Sequence, residues 1–268
     1  MKAHLLTPEQ IRQFDKEGYL ILKNHVDREE IDLLLRVARA DQKLAEIAYS
    51  RQNYEGEKGL DTRMSLRTDL GEDIYSAWAH SRRIAEPLEQ LLRDEVCHFY
   101  YKVMLKDPNT GGWEWHQDYG YAYGQTFPYP DMCSSLIAMD PATRENGCLK
   151  VLKGSNRLGR LDHRKFGNQL IADPERLQVL RQHLKDLEEV YCELDPGDVL
   201  YFHGNTLHAS EPNTGSYSRW CLILSYTAAH NMPFDPQKTM YAVEKWDVDK
   251  VQEVGRRHWE EVEAQQVK

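Results

Sequence analysis

Near residue 96 the spacing of apolar residues changes from about four to two, and that change limits the folds this chain can adopt. Upstream, the pattern is helical. Thr7 is placed as an N-cap, Pro8 as the first helical residue, Ile11 and Phe14 recur on one face, and Gly18 ends the segment. "YLILKN" then reads as a strand. Asp27 with Glu30 predicts a capping box opening one long helix through "REEIDLLLRVARADQKLAEIAY". Residues 51–71 are polar and Gly-rich and read as loop. A third helix is predicted over "IYSAWAHSRRIAEPLEQLLRD", with a break expected at Pro87.

Downstream, "VCHFYYKVMLK" alternates as a half-buried strand does. "DPNTGGWE" is a turn. Strand-like runs follow at "CSSLIAMD", "GCLKVLKG", "YCELD", "DVLYFHG" and "SRWCLILSYTAA", separated by Gly, Pro, Asn and Asp. One helix interrupts them, capped by Asp173 and started by Pro174, and a last, exposed helix is expected over "DVDKVQEVGRRHWEEVEAQQ". Helices followed by a run of strands predict a mainly β fold with flanking helices, an antiparallel sandwich or barrel and not an alternating βαβ fold. The 268 residues read as a single domain over 1–268. Its helical part covers 1–95, its core 96–230 with an inserted helix near 174–189, and its tail 231–268.

Composition narrows the function classes. There are 34 basic against 43 acidic residues, a formal net charge of −9, which argues against a nucleic-acid partner. It leaves room for an anionic small molecule in a locally basic pocket. The five Cys form no CxxC, which argues against a cysteine zinc site or redox dithiol and predicts reduced, buried thiols in a cytoplasmic protein. The N-terminus turns polar too soon for a secretory leader, and "WCLILSYTAA" is too short to span a bilayer, so no membrane role is expected. Neither a GxGxxG nor a GxxxxGK[ST] motif occurs.

The chemistry concentrates in "WEWHQDYGY", residues 113–121. On a strand, His116 and Asp118 point to one face and Gln117 to the other. Taken alone, such a pair is most often an ordinary surface feature. With one more histidine it becomes the facial arrangement of two imidazoles and one carboxylate that holds Fe(II) in non-haem oxygenases. Two candidates for that histidine follow the "DPGD" turn, His203 and His208. Arg219 lies eleven residues beyond His208. If the two occupy adjacent antiparallel strands joined by "EPNTGS", both face one cavity. Arg219 could there clamp a carboxylate, with Ser210 as a second donor.

The segments "HQD", "ENGCLKVLKGSN" and "PGDVLYFHGNTLHASEPNTGSYSR" together resemble the phytanoyl-CoA dioxygenase family of Fe(II)- and 2-oxoglutarate-dependent oxygenases, which includes the ectoine hydroxylases. The resemblance runs from the first helix to about residue 230. It implies a double-stranded β-helix, a cupin-like jelly roll with helices packed outside. It implies His116, Asp118 and His208 as iron ligands, Arg219 and Ser210 at the far carboxylate of 2-oxoglutarate, and Lys102 against the same cosubstrate. Asp118 stands where related halogenases carry a small residue, which favours hydroxylation. The implied reaction consumes O2 and releases succinate and CO2.

Trp115, Gln117 and Tyr119, with Arg144 and His163, are the candidates for substrate contact. The aromatic residues from Trp113 to Tyr129 form either a substrate wall or core packing. No basic patch suited to an acyl-CoA stands out, so a small polar metabolite is the favoured substrate. The competing readings are a cupin-like metal-binding or sensor module, an acyl-CoA hydroxylase, and a lyase or isomerase using a non-redox metal.

Overall fold

The computed structural model describes residues 4–54, 59–235 and 240–266. The N-terminal half carries α1 (Pro8–Glu17), β1 (Tyr19–Leu22), α2 (Arg28–Ala40), α3 (Gln42–Ile47), β2 (Tyr49–Arg51), β3 (Thr62–Arg67), α4 (Ile74–Ala79) and α5 (Arg82–Leu92). Then come β4 (Val96–Lys106), β5 (Trp113–His116), α6 (Asp118–Tyr123), β6 (Met132–Ala138), β7 (Leu149–Leu152), β8 (His163–Phe166) and β9 (Gln169–Ala172). The remainder is α7 (Pro174–His183), β10 (Glu189–Tyr191), β11 (Val199–His203), β12 (His208–Ser210), β13 (Arg219–Ala228) and α8 (Val248–Gln266).

A seven-stranded sheet runs β1-β11-β6-β13-β4-β3-β2 and a four-stranded sheet runs β10-β7-β12-β5. All pairings within them are antiparallel. The two sheets form the jelly roll of a double-stranded β-helix. Strand alternation sorts side chains into two cores. Outward residues such as Tyr101, Val103, Ile137, Tyr201 and Leu222 pack with residues of the helices, including Phe14, Leu34, Trp78 and Leu88. Inward residues such as Met104, Leu136, Leu200, Phe202 and Ile223 pack with Leu149 and Val151 of the smaller sheet.

Local chemistry explains the helix ends. Thr7 and Gln10 form a reciprocal capping box at α1, and Gly18 closes it in the left-handed conformation. The long helix expected from residue 28 breaks at Asp41, which ends α2 and caps α3 through Leu44 N. The break in the third helix falls at His80–Ser81 and not at Pro87, which lies inside α5. Proline deprives the Arg83 carbonyl of its helical donor. His25 Nε2 lies 2.9 Å from that oxygen and takes the donor's place.

Three other expectations are corrected. Residues 51–71 contain β3, paired along β4 from Arg63 to Arg67. The segment 163–172 forms the β8–β9 hairpin, which no sequence pattern had marked. The terminal helix is not an exposed appendage: α8 packs on α2 and α4 and buries Val251, Val254, His258 and Val262.

The "PGD" motif has a structural role. Gly197 has φ +95°, and a Cβ there would collide with the Val26 carbonyl. Asp198 is buried and accepts hydrogen bonds from Asn24 N at 2.8 Å, Asp195 N at 2.7 Å and Lys23 Nζ at 2.7 Å. It ties β11 to the chain leaving β1. Replacing Asp198 by Ala leaves two backbone donors without partners. We predict that Asp198→Ala lowers the free energy of unfolding in a urea titration by about 2–3 kcal/mol.

Candidate metal centre

β5 and β12 pair with His116 opposite His208, and the two imidazole centroids lie 4.1 Å apart. Asp118 opens α6 instead of continuing the strand, which corrects the expectation of one unbroken strand. Gln117 keeps extended dihedrals (φ −113°, ψ 136°), so the turn of side-chain direction from 116 to 118 survives the change of element. Asp118 Oδ1 lies 4.0 Å from His116 Nε2 and 3.8 Å from His208 Nε2. Each of the three residues offers one ligand atom, and these atoms all lie within 4.8 Å of one another.

Neighbouring groups fix which atoms face the centre. His116 Nδ1 is 2.7 Å from Glu114 O, and His208 Nδ1 is 2.9 Å from Thr206 O. A carbonyl only accepts, so each Nδ1 carries the proton and each Nε2 presents a lone pair. Ser134 Oγ donates to Asp118 Oδ2 at 2.8 Å and meets Ser225 Oγ at 2.7 Å, which leaves Oδ1 for the centre. Burial pushes the His116 imidazole well below its usual pKa, aided by His208, and burial also lowers His208. For Asp118, burial alone would raise the carboxyl. Lys102, His208 and His116, with the Ser134 hydroxyl, outweigh it and hold the group down to about 2. Two neutral imidazoles and an anionic carboxylate are the protonation states a divalent metal requires.

A cavity adjoins the two histidines, His116 and His208. Met104, Leu136, Leu149 and Ile223 form its apolar wall, and Trp113 and Phe202 its aromatic one. Lys102, Ser210 and Arg219 supply its polar groups. Burial opposes the charge on Lys102, but Tyr100 and the Asp118 carboxylate outweigh it and raise the pKa. Arg219 is buried, and its Nε has no hydrogen-bond partner among the described residues. Leaving a buried donor unpaired is costly. His208 and Arg219 do not sit on adjacent strands, as the loop between them had suggested. β12 and β13 belong to opposite sheets and approach the cavity from two sides.

The geometry settles the two histidine candidates. His203 lies on the outward face of β11, its ring 6.2 Å from Phe14 and its Nδ1 accepting from Asn205 N at 3.1 Å. None of the substrate candidates lines this cavity. Gln117 is fully buried away from the cavity, donating to Gly159 O and Asn205 O and accepting from Leu161 N. Tyr119 donates to Pro128 O and packs with Ala122, Phe127 and Met132. Trp115 faces outward between Arg181 and Lys150, whose charged ends lie 4.7 and 5.2 Å from its ring. His163 accepts from Gln117 N, and Arg144 stacks on Tyr191.

A shift in the β5–β12 register lets Trp113 and His116, three residues apart, both reach the cavity. Trp113 belongs to the aromatic run read from sequence as a substrate wall or core packing, whereas Ser134 was not singled out. Ser134 lies on a uniformly buried strand, where a serine is an available signal: a hydroxyl there needs a partner.

A family model described as phytanoyl-CoA dioxygenase matches residues 14–221. A probable alpha-ketoglutarate-dependent hypophosphite dioxygenase of Stutzerimonas stutzeri is 25% identical over 233 residues, covering 84% of this chain and 80% of its own length. The L-proline trans-4-hydroxylase of Streptomyces griseoviridis is 27% identical over 171 residues, covering 59% of this chain and 64% of its own. Among solved structures, EctD from S. alaskensis with 2-oxoglutarate and 5-hydroxyectoine superposes with a TM-score of 0.73 at 22% identity, over 90% of this chain and 88% of that one.

Partners that hold a ligand's orientation typically change metal affinity ten- to a hundredfold. Ser134→Ala should weaken Mn(II) binding, measured by calorimetry, by about that factor while the protein still melts cooperatively.

Proposed function

The chain belongs to the phytanoyl-CoA dioxygenase family, and from that premise we propose that it hydroxylates an unactivated carbon of a small polar metabolite. It is a 2-oxoglutarate-dependent dioxygenase that uses Fe(II) and O2. The observation that supports the assignment to residues is the buried Arg219, whose Nε has no hydrogen-bond partner among the described residues, lining the cavity that holds His116 and His208. A module that only bound a metal would have no use for a carboxylate clamp.

In this reading His116 Nε2, Asp118 Oδ1 and His208 Nε2 would hold Fe(II). Arg219 pairs with the far carboxylate of 2-oxoglutarate, and Ser210 donates to the same group. Lys102 lies over the near end of the cavity, where its charge balances the bound anion. Met104, Leu136, Leu149 and Ile223 exclude water from the bound cosubstrate. Bound there, Fe(II) would supply the chemistry that divides O2, one oxygen atom entering 2-oxoglutarate as it loses CO2 and becomes succinate and the other entering a substrate C–H bond to give an alcohol. The chain's share is orientation, charge and exclusion of water.

Small polar substrates are named for relatives that include the hypophosphite, L-proline and ectoine enzymes. Among the described residues no helix is long and apolar enough to cross a membrane. All five cysteines are free and buried, which supports a cytoplasmic location.

Anaerobic Fe(II) with 2-oxoglutarate should give a weak visible charge-transfer band that His116→Ala and Asp118→Ala abolish. A normal band in both variants would place the metal elsewhere. Arg219→Ala removes a charge-assisted contact of roughly 1.5–3 kcal/mol, so its 2-oxoglutarate requirement in a coupled succinate assay should rise about ten- to a hundredfold. An unchanged requirement would contradict the clamp.

A further inference from the structure

We propose that Lys106 is a positioning residue for the cosubstrate: it fixes the Ser210 hydroxyl as a donor to the far carboxylate of 2-oxoglutarate, and Gly147 of the "ENGC" motif exists to make room for it. The inference rests on the reading of Arg219 and Ser210 given above.

Lys106 ends β4 and lies directly across from Arg219 of β13. Its side chain has no exposure to solvent. A buried ammonium beside a guanidinium is an expensive arrangement. Burial, and next the charge of Arg219, push the Lys106 pKa well below the usual lysine value. No carboxylate hydrogen-bonds to the ammonium among the described residues. Instead its three N–H groups meet three oxygens: Gly147 O at 3.1 Å, Ser210 Oγ at 3.0 Å, and Glu211 O.

An ammonium has three donors and no acceptor. Two of the three oxygens are carbonyls that only accept, so a charged Lys106 gives its third proton to Ser210 Oγ, and in that state the serine's own proton points elsewhere. The cavity that Ser210 and Arg219 share is the remaining direction. The same ammonium holds the backbone at Glu211 and so fixes the end of β12.

Gly147 explains how the charge fits. It has φ +71°, and a Cβ built there would lie 2.7 Å from Lys106 Nζ and would collide with Glu211 O. The preceding Asn146 anchors the turn, its side chain accepting from Thr143 N and donating to Pro141 O. A motif that supplies none of the three metal ligands thus acts on the cosubstrate through a lysine. The sequence signal is spacing: Lys102 and Lys106 lie four apart on one alternating strand and so share the inward face.

The test is the affinity of the Fe(II)-loaded protein for 2-oxoglutarate and for pyruvate, read anaerobically from the visible charge-transfer band. Pyruvate offers the same keto acid but lacks the far carboxylate. K106M and S210A should each weaken 2-oxoglutarate about tenfold and leave pyruvate unchanged, and the double variant should lose no more than the weaker single variant. Should K106M fail to fold, K106Q, which retains donors without charge, should show the same selective loss at reduced size. Unaltered 2-oxoglutarate affinity in the lysine variant, an equal loss for both keto acids, or additive losses in the double variant would each overturn the proposal. Wild-type protein that binds neither keto acid would instead overturn the reading on which it rests.

Discussion

The pairing of His116 with His208 across β5 and β12 is the contact on which the rest of the site depends. Two strands deliver one imidazole each to the same side of the smaller sheet. A slip of one residue would send both rings to the opposite face. Several contacts hold that register. His208 is also paired to Val151 of β7. The Gln117 side chain bonds three backbone groups directly beyond His116. Tyr119 N donates to Gly204 O at 2.9 Å, which joins α6 to the turn before β12. Residues first suspected of touching substrate therefore hold the strands that carry the ligands.

The large sheet makes a different contribution. Its alternation sends Tyr101, Val103 and Leu105 outward to the helices and leaves Lys102, Met104 and Lys106 inside. With Arg219 on the neighbouring strand, cationic side chains gather in the barrel, and of them Lys102 acts on the ligand carboxylate of Asp118. Such an interior opposes folding on its own, because desolvated like charges repel. A dianion with a carboxylate at each end is the guest that relieves it. The stability and the chemistry of the barrel are in tension until the cosubstrate binds.

Much of this was legible from residue order. The change of period at residue 96, the capping residues of α1 and α2, and the resemblance carried by "HQD", "NGC" and "PGD" led to the jelly roll. The errors have physical sources. The break at Asp41 depends on a buried carboxylate that accepts from Tyr75 Oη and caps α3, a tertiary contact with no local signature. Pro87 stays in its helix because His25, far away in sequence, supplies the missing donor. β3 is short and flanked by glycine-rich sequence, so its pairing with β4 overrides local composition. The metal-binding atoms were readable because ligand chemistry restricts residue type. The supporting groups were not, since a serine such as Ser134 gains its role only when the sheet brings it to Asp118.

Two strands and a helix start bring His116, Asp118 and His208 to one point, and Arg219 lines the cavity beside them. A crystal structure of the protein prepared anaerobically with Fe(II) and 2-oxoglutarate tests this arrangement most directly. Metal density should lie against His116 Nε2, Asp118 Oδ1 and His208 Nε2, and the far carboxylate should pair with Arg219 and Ser210. Metal held through His203, or a 2-oxoglutarate whose far carboxylate lies away from Arg219, would contradict it.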